Sequence, residues 1–225
     1  MKIAVIGTGK TGGKVVELLG DELSEAFDAG NPPTKEKLKV ADAVIIFVPG
    51  DAVPDVIDDV IEAGIPAAWG STGFDWPEDL EERVKTKSTR WVLASNFSLG
   101  MNIIRKGIEA ISAGSAILKD PEFHIHEVHH VHKKDAPSGT ALSWKEWLDK
   151  EAEVTSAREG DVKGIHELTM KTGTEEITLR HKALDRALFA EGAIWAAKQL
   201  VNNSKMEAGI RTFGQLFDHV MEEQK

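Results

Sequence analysis

The 225-residue chain contains no cysteine. That excludes disulfides, thiolate nucleophiles and cysteine metal sites. Long hydrophobic runs are absent as well: no apolar stretch approaches the ~18–20 residues that a spanning helix needs, so no membrane partner is expected. Positive charge is in deficit, with 27 Lys and Arg against 37 Asp and Glu and a net charge of −10. An acidic surface repels a phosphate backbone, which argues against nucleic acid as a partner. A small anionic ligand would need a local basic patch set against the global field. Met1-Lys2 leads straight into a strand pattern rather than into a basic segment followed by an apolar stretch. No secretory signal is therefore expected, and the cytoplasm is the expected compartment. Internal repeats and low-complexity segments are also lacking. What remains is a chain of 41% hydrophobic and 28% charged residues, the balance of a globular protein with one large or two small domains.

Lys2-Ile3-Ala4-Val5-Ile6 has the continuous, β-branched character of a strand buried on both faces of a parallel sheet. It runs into Gly7-Thr8-Gly9-Lys10-Thr11-Gly12, after which Val15, Val16, Leu18 and Leu19 supply the apolar face of a helix. Strand, G-x-G-x-x-G and helix in that order form a dinucleotide-binding pattern. Its glycines allow a tight turn, close approach of backbone to a pyrophosphate and close helix packing. An acidic residue about twenty positions further on would hold ribose hydroxyls. Asp28 lies there, after the weakly strand-like Glu25-Ala26-Phe27, and a simple turn aspartate explains it almost as well.

Further strands are expected at 43–48, 65–69 and 91–94, with helices at 53–63 and 78–85 between them and a loop over 31–39. This alternation predicts a doubly wound parallel sheet, with cofactor contacts at the polar strand ends after Ile6, Val48, Trp69 and Ala94. The pattern then changes. Residues 99–117 read as one long helix, followed by a histidine-rich strand, a helix near 143–151 and a polar stretch over 155–164. Two strands at 166–170 and 175–181, joined as a hairpin, suggest a second, mixed or antiparallel sheet. Helices over 187–200 and 213–222 end the chain. The fold class is α/β: a Rossmann-type parallel sheet from the N-terminal part, plus a smaller α+β domain.

Glu127 to Thr140 is the most informative stretch. Five of the eight histidines fall between His124 and His132, Lys133 and Lys134 follow, and Pro137-Ser138-Gly139-Thr140 opens a helix-like run. Proton-transfer groups, fixed cations and a helix N-terminus together suit an anionic substrate that needs acid–base help. The blander reading is a solvated histidine-rich strand leading to a well-capped helix. Strand parity puts Glu127 and His129 on one face and His130 on the other unless the strand bulges or ends there. No metal site is expected, because alternating histidines rarely converge on one ion and no carboxylate or cysteine partner stands out.

The run His129-His130-Val131-His132-Lys133-Lys134-Asp135-Ala136-Pro137-Ser138-Gly139-Thr140-Ala141 resembles the signature of the 4-hydroxy-tetrahydrodipicolinate reductase family. Gly70-Ser71-Thr72-Gly73 is similar to the family's Gly-Thr-Thr-Gly, and Asn96-Phe97-Ser98-Leu99-Gly100 to its Asn-Phe-Ser-x-Gly. His181-Lys182-Ala183 through Gly192-Ala193 is similar to its C-terminal block. The resemblance implies an NADH- or NADPH-dependent reductase of the diaminopimelate route to lysine. Hydride would pass to C4 of a small cyclic dicarboxylate, and the enzyme would be a homotetramer.

By the same resemblance His129 is the general acid/base and Lys133 a proton donor, while His130, Gly139 and Thr140 meet substrate carboxylates. Gly7, Thr8, Gly9, Lys10, Thr11, Gly12, Phe47, Gly70, Ser71, Thr72, Ala94, Ser95, Asn96 and Phe97 would meet the cofactor, with Phe97 near the nicotinamide. The implied domains are 1–98 with 186–225 for the dinucleotide and 99–185 for substrate and tetramerisation, joined by hinges that close over the ligand. The chain departs from the family at Lys10-Thr11, at Val48-Pro49, at Ser71 and in the short segment around Asp28. These positions leave cofactor preference open: Asp28 favours NADH, whereas Lys10 or the 35–39 lysine cluster suits a 2′-phosphate. An amino-acid dehydrogenase shares the first domain but not the His-His…Pro-Ser-Gly-Thr block. A non-catalytic nucleotide sensor also shares the first domain, and consumption of reduced cofactor separates it from an enzyme.

Overall fold

The computed structural model describes residues 1–203 and 205–224, which form two compact units: Met1–Ser98 with Ala187–Lys225, and Leu99–Arg186. In the first unit, β1 (Ile3–Ile6), β2 (Leu23–Phe27), β3 (Ala43–Ile46), β4 (Ala67–Trp69), β5 (Arg90–Leu93) and β10 (Gly209–Thr212) make one sheet. Its order is β10-β5-β4-β3-β1-β2, and every neighbouring pair is parallel. β1 and β3 are buried at every residue, as expected for strands covered on both faces. On one face Ala4, Ile6, Val44, Ile46, Trp69 and Trp91 pack with residues of α3 (Ile57–Ala63) and α4 (Leu80–Thr86). Elsewhere α7 (Ala187–Asn202) lies along β3, β4 and β5 and against α1 (Lys10–Leu19). α7 comes close because it presents small residues: a Cβ on Gly192 would lie 1.7 Å from the Phe97 carbonyl oxygen. The unit ends with α8 (Phe213–Glu223), which starts in a capping box between Thr212 and Gln215.

The second unit holds a four-stranded sheet of β6 (Glu122–His129), β7 (Glu153–Arg158), β8 (Ile165–Lys171) and β9 (Glu176–Lys182), in the order β7-β6-β8-β9. β6 and β7 are parallel and the other pairs antiparallel, so the sheet is mixed. α5 (Leu99–Gly114) and α6 (Gly139–Leu148) supply Met101, Ile108, Ala141, Trp144 and Leu148 to a core with Ile125 and Leu168. Each fully buried aliphatic side chain of that size contributes about 1.5–3 kcal/mol.

Several local expectations change. Residues 35–38, expected in a loop, form the short helix α2 (Lys35–Leu38), because Thr34 caps it by accepting from the Lys37 N–H. The helix expected from Val53 begins at Ile57; Pro54, which has no N–H, sits in the turns before it. The helix expected to reach 117 ends at Gly114 and tightens into a 3₁₀ turn, as a weakly helical glycine permits. Two strands lacked a readable signal. β7 lies within and before the polar stretch, and β10 is only Gly-Ile-Arg-Thr; both form because β6 and β5 offer unpaired edges.

Candidate active site

The glycine loop leaves the carboxyl end of β1. Gly7 has φ +90°, and a Cβ there would lie 2.4 Å from the Phe47 carbonyl oxygen. A Cβ on Gly12 would lie 1.7 Å from the Gly7 carbonyl oxygen. The fold itself therefore demands the first and third glycines. Gly9 differs: its missing side chain faces open space, and it is the N-cap of α1 with no side-chain cap. That is the position at which a pyrophosphate needs bare backbone and helix N–H groups, so the residues fit a dinucleotide. Lys10 is exposed and Thr11 half-buried beside it.

Asp28 follows β2 and serves its own turn, with Oδ1 accepting from the N–H groups of Gly30 and Asn31 at 2.9 and 3.1 Å. Its Oδ2 accepts from the Thr8 hydroxyl of the glycine loop at 3.4 Å. Phe47 follows β3, and its ring occupies the space a side chain on Gly70 would need, 2.1 Å from a Cβ there. Ser71 is buried, its hydroxyl without a hydrogen-bond partner among the described residues, and Thr72 is exposed. Ala94, Ser95 and Asn96 follow β5, where Asn96 Oδ1 accepts from the Ser98 N–H at 2.8 Å. Phe97 is packed inside the unit, edge-on to Phe47 and Phe213 with ring centroids 5.8 and 5.0 Å away.

In the second unit β6 ends at His129, and a turn follows in which the Lys133 N–H bonds the His130 carbonyl. The parity argument therefore stops one residue short of His130, whose ring instead lies 6.2 Å from that of His132. Ser138 caps α6 by accepting from the Ala141 N–H, which leaves Gly139 and Thr140 in the first turn. Lys133 Nζ pairs with Asp135 at 2.8 Å.

Beneath His129 lies Glu127, whose side chain is fully buried. Its Oε2 is 2.8 Å from His129 Nδ1 and 3.8 Å from His166 Nε2. Its Oε1 accepts from the Ser138 N–H at 3.0 Å and from Arg158 at 3.2 Å. Arg158 also donates to the carbonyls of Lys133, Asp135 and Ala157, tying the turn after β6 to β7. Ser138 Oγ is 3.2 Å from His166 Nε2. Sequence reasoning found no carboxylate partner for the histidines, and the structure corrects this. Glu127 had the right strand parity, but Arg158 and His166 come from other strands and had no local signal.

Burial pushes the Glu127 carboxyl up, yet hydrogen bonds from Ser138, Ser156 and Arg158 outweigh it and hold the group at about 2. Burial lowers His129 below the ordinary histidine value; Glu127 opposes this, while Lys133, Arg158 and His130 add to it. Burial, aided by His129, takes His166 down to about 4. At neutral pH the cluster is thus a carboxylate, a guanidinium and two neutral imidazoles. Glu127, His129 and His166 present ligand atoms within 4.8 Å of one another. The Arg158 charge on the same carboxylate makes a hydrogen-bonded network the better account of that spacing.

One unit thus carries a glycine loop that fits a dinucleotide, and the other carries a histidine–carboxylate cluster and a capped helix start. That division defines the class of nicotinamide-dependent oxidoreductases. Residues 100–213 match the family model described as dihydrodipicolinate reductase, C-terminus. The 4-hydroxy-tetrahydrodipicolinate reductase of Bdellovibrio bacteriovorus is 32% identical over 89% of this chain and 90% of its own length. That of Haloarcula marismortui is also 32% identical, over 96% and 99%. This chain belongs to the 4-hydroxy-tetrahydrodipicolinate (dihydrodipicolinate) reductase family. Its fold is shared with the dipicolinate-bound dihydrodipicolinate reductase of Paenisporosarcina sp. TG-14, at TM-score 0.74 and 18% identity over 94% of this chain and 97% of that one.

Proposed function

We propose that the chain catalyses the NADH- or NADPH-dependent reduction of 4-hydroxy-tetrahydrodipicolinate to tetrahydrodipicolinate. The observation that carries this reading is His129, ending β6 on a buried carboxylate, in the same unit as the anion-binding start of α6. The 4-hydroxyl leaves as water to give a cyclic, conjugated, dicarboxylated imine, and the chemistry the reduced nicotinamide would supply is a hydride to its C4. His129 moves the proton at the neighbouring carbon, and the Lys133 ammonium supplies charge or a proton to the developing anion. His130 and the first-turn N–H groups of Gly139 and Thr140 hold substrate carboxylates. Gly7 to Gly12 would hold the pyrophosphate, and Gly70 to Thr72 with Ala94 to Phe97 the remainder of the cofactor.

Asp28 Oδ2, turned toward Thr8, supports NADH, while the exposed Lys10, Lys35 and Lys39 offer cations to a 2′-phosphate. Steady-state kinetics with both cofactors, coupled to the preceding synthase, measures the preference. Removing His129 or Lys133 (His129→Gln, Lys133→Ala) lowers turnover by ~10²–10⁴-fold. Turnover within about tenfold of the parent in both variants would sink these roles. Folded protein that consumes neither cofactor would be a nucleotide sensor instead. The working form is a cytoplasmic homotetramer, which sedimentation checks. No helix among the described residues is long and apolar enough to cross a membrane.

A further inference from the structure

The proton-transfer role of His129 leaves one buried group without a task. Glu127 has no exposed surface, ends in the middle of the cluster and remains ionised across neutral pH. Its Oε2 and His129 Nδ1 face each other at 2.8 Å as an ion-pair contact that falls short of hydrogen-bond alignment, and neither atom has a hydrogen-bond partner among the described residues. Imidazole can present one nitrogen to a substrate only if the other is committed, and a carboxylate commits it as N–H. We propose that Glu127 is a positioning residue for His129, fixing the tautomer with hydrogen on Nδ1 and leaving Nε2 as the atom that exchanges a proton with substrate. This rests on the reading of His129 as the acid/base.

The surroundings fit that task. Oε1 is anchored independently by the Ser138 N–H and Arg158, so the carboxylate cannot swing away from the ring. The His129 ring lies edge-on to His166, centroids 5.0 Å apart, and beside Gly164. A Cβ on Gly164 would stand 3.2 Å from His129 Nε2, and the glycine, at φ +155°, leaves that side of the ring open. The same carboxylate grips Ser138, so the proton-transfer ring and the capped start of α6 share one anchor.

The groups facing Glu127 and His129 are His130 and Lys133 from the turn after β6, and Ser156 and Arg158 from β7. His166 faces them from β8, with His181 paired behind it on β9, and Ser138 from the turn before α6. All the charged ones are cations or titrate to cations. Glu127 is the one negative group among them, and its loss makes the His129 imidazolium harder to form.

The test compares Glu127→Gln, His129→Gln and the double variant, each checked for native circular dichroism and Tm, across a pH series. Glu127→Gln is expected to lower kcat by ~10²-fold and to move the His129 limb of the kcat profile about one unit toward acid. The double variant is expected to match His129→Gln alone, because Glu127 acts through that ring. Effects that multiply in the double variant, or an unmoved pH limb, would overturn the proposal while leaving His129 as acid/base. A His129→Gln enzyme with near-parental turnover would instead overturn the reading beneath it. Should Glu127→Gln not fold, nitrogen-15 NMR of His129 in the unaltered protein decides. Hydrogen on Nδ1 at neutral pH is the expected state, and hydrogen on Nε2 overturns the proposal.

Discussion

At the scale of single residues, burial discharges a histidine of this protein, while hydrogen bonds keep a buried carboxylate ionised. His166 is 4% exposed and titrates near 4 rather than 6.5, so its neutral form contributes to stability. A histidine with a depressed folded value contributes fully above about 6.5, and the contribution drains away as pH falls toward 4. The loss amounts to at most about 3 kcal/mol. Glu127, also depressed, adds its own loss only at lower pH, between its ordinary 4.5 and about 2. Thermal unfolding measured stepwise from pH 7 to pH 4 should therefore show a falling Tm, and His166→Gln should flatten that fall. An equal slope in the variant would place the acid sensitivity elsewhere. The histidine–lysine cluster that holds His129 and Lys133 was visible in the sequence because it is local, beside a capped helix, and the family resemblance singled out those two within it. Their supports, Arg158 and His166, could not, since they reach the cluster only through strand pairing.

At the scale of elements, the loop between β1 and α1 separates what folding needs from what a ligand needs. Gly12→Ala would drive a methyl into the Gly7 carbonyl, at 1.7 Å, and should cost several kcal/mol or abolish folding. Gly9→Ala meets nothing within 4 Å. Its Tm should change little, while cofactor affinity measured by fluorescence or calorimetry should drop at least about tenfold. Unchanged affinity would show that the pyrophosphate does not lie on that loop. The motif was legible as a string of glycines, but the division of labour among them was not. It depends on where the Phe47 carbonyl and the α1 backbone come to lie. β7 and β10 make the complementary point: short polar strands have no periodic signature, and a neighbouring unpaired edge decides them.

At the scale of the whole molecule, one unit is continuous in sequence and the other is not. Residues 99–186 own a complete core around Ile125, Trp144 and Leu168. A fragment of those residues should fold alone and unfold cooperatively, as judged by circular dichroism and denaturant titration. Residues 1–98 alone lack α7, α8 and β10, and so lose the cover that α7 gives to β3, β4 and β5. That fragment should remain partly unfolded until 187–225 is supplied. A cooperative transition in 1–98 by itself would contradict this division.

By itself the sequence determined the α/β class, the glycine loop, the capped start of α6 and the histidine–lysine cluster beside it. Each of these is written in contacts within a few residues or in the period of a strand or helix. Only the tertiary structure decided that a fully buried carboxylate sits under His129, that Arg158 ties the turn after β6 to β7, and that the second sheet is mixed rather than antiparallel. These depend on which strands pair and in which register, and residues thirty or more apart carry no local trace of that choice.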